Sequence, residues 1–415
     1  MLEVVPFSRS PRILGIVQAG GQGSRMEVLT RERAKPALPF AGSYRLIDFA
    51  LSNLGNSSIP DVWVSVQYQA GSLDTHLSGG RPWDLDRSRG GYRRLVPEEG
   101  HVGTVEGFST GNADDLYRIS DDISAVDPDV VVVTSADHVF RLDLRAVIAE
   151  HLRREADCTI VTAQVSKKNA KHKAVVTVGK DDLVSRLDYK PSSPSSGVVA
   201  TEIFIYDAAA LVSELDALRR DLSVTDPGLD DGLGDFGEQL LPRLIDKGKT
   251  YAYALEGYWR DLGRPSEYLV AHRDLVRGKI DVFDDPNWPM LTRFPELPPA
   301  ALRPGSAVED AMITAGCEIS GTVRRSVLGA SCVVEAGAVV EDCVLMDGVV
   351  VRAGAQVRTA IVDDACEIGA KARIGELVDR WPPTDDDLIL IGKECVIGAG
   401  AQLEPGARME PGSQT

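Results

Sequence analysis

The chain has no surplus of positive charge, no long apolar run and no closely paired cysteines. Its 62 Asp and Glu outnumber its 45 Lys and Arg, for a formal net charge of −17. A surface that acidic repels polyanions, which excludes nucleic acid and anionic membrane as partners through bulk charge. No apolar stretch approaches the ~20 residues of a membrane-spanning helix. The opening MLEVVPFSRSPRILGIV lacks the basic, apolar and small-residue order of a secretion signal, so a cytoplasmic protein is expected. The six cysteines (158, 317, 332, 343, 366 and 395) form no CxxC pair, so reduced, buried thiols are expected rather than a zinc site. Histidine is missing from the last third: His76, His101, His138, His151, His172 and His272 all precede it.

What is present divides in two, as a chain of 415 residues should. Over residues 1–279 β-branched runs alternate with helical patterns. Ile13–Val17, Asp61–Val66 and Asp129–Thr134 read as buried strands, and Leu46–Asn53 and Asp114–Asp122 as helices. That alternation predicts an α/β domain with a mostly parallel sheet. Residues 280–304 are dense in proline and read as a linker or a strap across a boundary. Residues 305–415 are periodic. Val327, Val333, Val339, Leu345, Val351 and Val357 recur every six residues, as do Val362, Ile368 and Ile374, and Ile391, Ile397 and Leu403. This is the hexad pattern of a parallel β-helix, three hexads to a coil, each pointing one aliphatic residue inward. Cys317, Cys343, Cys366 and Cys395, with Ala355, Ala372 and Ala401, fall four positions on as small core fillers. Glu376–Leu388 interrupts the pattern and reads as an ejected loop, its run Asp385-Asp386-Asp387 as solvated surface.

The chemistry is announced after the first strand, in Gln18-Ala19-Gly20-Gly21-Gln22-Gly23-Ser24-Arg25. A glycine-rich turn between strand and helix offers backbone N–H groups to phosphate oxygens. Arg25, and Lys35 ten residues on, would add two cations suited to a triphosphate. Asp137 follows the apolar run Val131-Val132-Val133-Thr134, at a strand end where a metal ligand belongs.

The pairing of GGxGxR with RAKPALPFAGSYRLIDFALSN resembles sugar nucleotidyltransferases, and within them the ADP-glucose pyrophosphorylase branch. Gly111-Asn112-Ala113-Asp114, Ser135-Ala136-Asp137-His138, Tyr189-Lys190-Pro191, Asp235-Phe236-Gly237 and Gly257-Tyr258-Trp259-Arg260-Asp261 keep that family's order over about residues 13–405. The resemblance implies a Rossmann-like catalytic domain of mixed, mostly parallel sheet followed by a left-handed parallel β-helix. It implies adenylyl transfer from ATP to a hexose 1-phosphate, foremost α-D-glucose 1-phosphate, in glycogen or related glucan synthesis. Mg²⁺ would be held by Asp137 and Asp261. Arg25 and Lys35 would hold the outer phosphates, and Ala19, Gly20, Gly21, Gly23, Glu98, Gly111, Asn112 and Ala113 the rest of the nucleotide. Tyr189, Lys190, Ala200 and Glu202 would face the sugar phosphate. A homotetramer and a phosphorylated-sugar effector near the domain boundary are further implications, with Arg9, Arg12, Arg33 and Arg45 as candidates for the effector.

Departures from the family pattern concentrate around the acceptor. Tyr189 replaces a glutamate, Ala200 a hydroxyl and Glu202 a glycine, and Lys173-Ala174-Val175 stands in place of an FGV segment. These changes lead to an expectation of altered sugar preference, with glucosamine 1-phosphate competing. Glu98, in place of a glutamine, leaves the base open between ATP and another nucleotide. Two alternatives differ in class. Acyl transfer on the β-helix needs a base, and no histidine lies there. A non-catalytic regulatory paralogue stays open as the alternative; loss of activity in such chains usually removes the metal aspartate or the phosphate cations, and Arg25, Lys35, Asp137, Lys190 and Asp261 are all present.

Overall fold

The computed structural model describes residues 10–88, 90–96, 109–225 and 232–415. The N-terminal half is built on a nine-stranded sheet. Ile13–Ala19 lies at its centre, parallel to Asp61–Val66 on one side and Val130–Ser135 on the other. The three strands are apolar on both faces, as strands covered by helices on both sides must be. Beyond Val130–Ser135 the sheet turns antiparallel through Val198–Asp207. That strand carries Cys158–Gln164 and the hairpin Ala174–Val178/Val184–Tyr189. The expected helix over Asp114–Asp122 is two short helices, Asn112–Arg118 and Ser120–Val126, which meet at Ile119.

The proline-dense segment is a strap. The Trp288 indole N–H donates to Asn53 Oδ1 at 2.9 Å, and the Leu291 N–H donates to Ser52 Oγ at 2.8 Å, so it is tied along the helix Leu46–Asn56. The first rung of the β-helix, Ala301–Leu302, already lies within this strap and pairs with Glu318–Ile319.

The C-terminal half is three parallel six-stranded sheets that form the faces of a prism. Val333 pairs with Val350, and Val350 with Glu367, so a coil in this stretch advances 17 residues, not three times six. One corner is a residue short. The inward positions therefore run Leu328, Val334, Val340, then Leu345, Val351 and Val357, all fully buried. The expected Val333 and Val339 are only half-buried and point outward, a correction of one residue in phase. The fillers behave as expected: all six cysteines are free and buried. The Cys317, Cys332 and Cys366 thiols donate to the carbonyls of Gly329, Met346 and Gly392 at 3.0–3.1 Å.

The ejected loop is present, but its acids are not all solvated. Asp385 Oδ1 accepts from the Ser266 N–H at 2.9 Å, in the first turn of the helix Pro265–Val276. An apolar cluster joins the halves, placing Met26, Leu29, Leu38 and Phe40 of the catalytic domain with Val344, Met346, Ile361 and Leu390 of the β-helix. Cutting the chain near residue 300 would uncover that face. A fragment ending there is expected to lose solubility and assembly, measured by light scattering after size exclusion. A soluble fragment with the parent's subunit number would contradict this.

Candidate active site

The site forms where the parallel strands end. Ile13–Ala19 runs into the glycine turn, and Val130–Ser135 into Asp137. Gly23 has φ of 68°, and a Cβ there would stand 2.9 Å from the Lys35 Cβ. The glycine thus serves both the left-handed turn and the approach of Lys35. Among the described residues nothing would crowd a Cβ at Gly21, while Gly20 faces the Gln67 amide. Gly111–Ala113 lies beside the same strand end, because the Gln18 amide donates to Asn112 O at 2.8 Å and to Asp115 at 3.0 Å. Glu98 lies outside the described residues.

Two distant segments of chain bring the carboxylates together. Trp259–Asp261 pairs antiparallel with His138–Phe140, with Asp261 opposite His138. His138 is buried, and its Nδ1 lies 2.9 Å from Thr201 O, so it donates there and leaves Nε2 facing the cluster. That Nε2 lies 3.4 Å from Asp137, 3.7 Å from Asp261 and 3.9 Å from Glu202. The buried Lys35 ammonium contacts Asp137 directly and Asp261 at 3.9 Å. Burial opposes ionisation of Lys35, yet the two carboxylates hold its pKa above the ordinary lysine value. Burial likewise opposes the Asp137 anion, and Lys35 and His138 hold the carboxyl down at about 2. Asp261 is held well below the usual carboxylate range, against burial, by Lys173, His138 and Lys35. A pair of carboxylates that already brackets an ammonium is arranged to hold positive charge, so its chemistry fits a hard divalent cation. Asp137, His138 and Glu202 also present ligand atoms within 4.8 Å of one another. Arg25 is exposed beside this group, its guanidinium carbon 3.7 Å from where a Cβ on Gly263 would stand.

The residues expected at the sugar divide. Glu202 reaches the cluster because Val198–Asp207 bulges between Ala200 and Phe204, and Glu202 takes φ of 57°. Desolvation, then repulsion from Asp137 and Asp261, pushes its carboxyl pKa upward despite His138. Ala200 is buried in the apolar core. The Tyr189 hydroxyl donates to Asp235 at 2.5 Å, so it has no donor left for a sugar. Lys190 is half-exposed, 3.8 Å from Asp235. Lys173 is the residue that sequence reasoning left without a role. Its ammonium donates to Asp261 at 2.8 Å and lies over the Trp259 ring at 4.9 Å. Nothing local distinguishes Lys171-His172-Lys173 from surface charge.

Of the effector candidates, Arg9 lies outside the described residues, and Arg12 is exposed. Arg33 is buried and paired with Asp363 at 2.5 Å and Asp364 at 2.9 Å on the β-helix. Nearby, Arg408 of the β-helix pairs with Glu27. Arg45 lines a cleft of about 490 Å³ between the domains, away from the carboxylates, with Ser43, His76, Arg293, Glu296 and Asp347. Among the described residues no helix is long and apolar enough to cross a membrane.

The family model described as nucleotidyl transferase matches residues 14–278, and that of the GlmU-like C-terminal hexapeptide matches residues 300–381. A glucose-1-phosphate adenylyltransferase of Corynebacterium jeikeium is 36% identical over 94% of this chain and 100% of its own length. One of Pseudothermotoga lettingae is 34% identical over 94% and 95%. One of Bacillus mycoides is 34% identical over 82% and 89%. On this likeness along nearly its whole length, the chain belongs to the glucose-1-phosphate adenylyltransferase family of nucleotidyltransferases.

Proposed function

We propose that this protein joins ATP and α-D-glucose 1-phosphate into ADP-glucose, releasing pyrophosphate. The observation that carries the reading is the pairing of Asp261 against His138, which sets two carboxylates and Lys35 below the glycine turn. One oxygen of the sugar phosphate attacks the α-phosphorus, the bond to the β-phosphate oxygen breaks, and pyrophosphate departs with that electron pair. The attacking oxygen is already ionised, so no general base is required. A Mg²⁺ ion bound by Asp137 and Asp261 would neutralise phosphate charge and polarise the α-phosphate. Lys35 and Arg25 then hold the departing phosphates, and the turn through Gly20, Gly21 and Gly23 supplies backbone donors.

The test is pyrophosphate release with Mg²⁺ from each nucleotide against each sugar phosphate. ATP with glucose 1-phosphate is expected to turn over. A clear preference for GTP or UTP would replace the adenylyl assignment and leave the mechanism standing. Lys190→Ala is expected to raise KM for the sugar phosphate about tenfold with little change for ATP, as loss of a charged phosphate contact does. Equal rises in both constants would remove Lys190 from the acceptor site.

A phosphorylated sugar is the proposed effector, bound in the cleft at Arg45, whose buried Nη1 has no hydrogen-bond partner among the described residues. The enzyme is read as a cytoplasmic homotetramer, the β-helix supplying contacts between subunits.

A further inference from the structure

The acceptor side of the site holds more positive charge than Lys190. Lys190 and Lys173 are neighbours across the hairpin, for the Lys190 N–H donates to the Lys173 carbonyl at 3.1 Å. Their ammonium groups part from there. Lys190 reaches outward to Asp235, and Lys173, mostly buried, reaches inward to Asp261. The oxygen that attacks must lie close to the carboxylates that bind the metal, and of these two lysines Lys173 is the one placed there.

The charges around it explain why it should have a second partner. Lys35 neutralises Asp137 and Lys173 neutralises Asp261, one ammonium on each side. A divalent cation arriving between the carboxylates repels both. Lys35 then has the triphosphate to turn to. Among the described residues Lys173 then keeps only the longer-range pull of Glu202, until an anion enters on the acceptor side. The Trp259 ring, over which the ammonium lies at 4.9 Å, favours its staying nearby meanwhile. The surrounding field has the same sign. Partial desolvation, with Arg264, Arg25, Lys173 and Lys171, holds His172 below the ordinary imidazole value.

We infer that Lys173 is a second acceptor-phosphate residue, which passes from Asp261 to the sugar phosphate when the cation binds and grips it together with Lys190. This rests on the proposed nucleotidyl transfer. In Lys173→Met an unbranched side chain of similar length is kept and the ammonium, with its contacts to Asp261 and the Trp259 ring, is lost. With ATP and Mg²⁺ saturating, its KM for glucose 1-phosphate is expected to rise about tenfold or more, while KM for ATP moves less than about twofold. Lys173→Arg is expected to recover most of the loss, which a mere packing role would not require. Lys173→Ala carries the same test should the methionine variant fail to fold. An unmoved KM for the sugar phosphate, equal rises for both substrates, or a fall in kcat alone each overturns the inference. A wild-type enzyme that releases no pyrophosphate from this substrate pair overturns the proposed function instead.

Discussion

Asp137→Asn is expected to abolish turnover, by about a thousandfold or more in kcat, while the protein stays folded. The substituted side chain is isosteric, and Ser135 Oγ, now 2.5 Å from Oδ1, can still donate to the amide oxygen. What disappears is the charge. An amide is a neutral ligand to a hard cation, and the loss of several kcal/mol of charge stabilisation corresponds to that factor. Lys35 loses its direct partner in the same step. Acid will not reproduce the effect near neutrality. The folded-state pKa is depressed to about 2, so the carboxylate's contribution is complete above the unfolded value near 4 and is lost only as pH falls through about 2. Near-native activity of the variant at saturating Mg²⁺ would remove Asp137 from the metal site. Thermal denaturation and circular dichroism separate loss of chemistry from loss of fold.

Sugar preference is the second large effect. A site that reads hydroxyls loses discrimination when their partners are removed. Here the Tyr189 hydroxyl is committed to Asp235, and Glu202 brings an acidic group with a raised pKa toward the carboxylate cluster. A carboxylate short of positive charge favours an amino group over a hydroxyl. Glucosamine 1-phosphate is therefore expected to compete, leaving glucose 1-phosphate ahead by less than about a hundredfold in kcat/KM. The measurement is the set of efficiencies for glucose, glucosamine, mannose and galactose 1-phosphates. A hundredfold lead for glucose over every alternative, near 2.7 kcal/mol, would sink this expectation.

The parts of this molecule that were legible in the sequence are those written locally. Val130–Ser135 is an unbroken β-branched run, so the place of Asp137 after its end could be read directly. The β-helix announces itself by repetition, but its phase does not. Val333-Val334 and Val339-Val340 are adjacent valines whose side chains leave opposite faces, and only the short corner decides which goes inward. Lys173 shows the other limit. Its meaning depends on Asp261, brought in by strand pairing from far along the chain, and no residue near Lys173 carries that information. The bulge that turns Glu202 toward the site is likewise a product of the pairing partner, Cys158–Gln164.

The two cations on the donor side stand on a short piece of chain that is pinned to the other half of the molecule. Arg25 is two residues from Glu27, which Arg408 grips, and Lys35 is two residues from Arg33, which Asp363 and Asp364 grip. The β-helix is therefore tied by ion pairs to the segment that carries Arg25 and Lys35, the cations proposed for the phosphates. A rotation of the prism by a few degrees would act on both clamps at once and swing Arg25 and Lys35 like the ends of a short lever. If Arg25 and Lys35 hold the departing pyrophosphate as proposed, a load on the outer faces of the prism would reach them through these two clamps without touching a substrate.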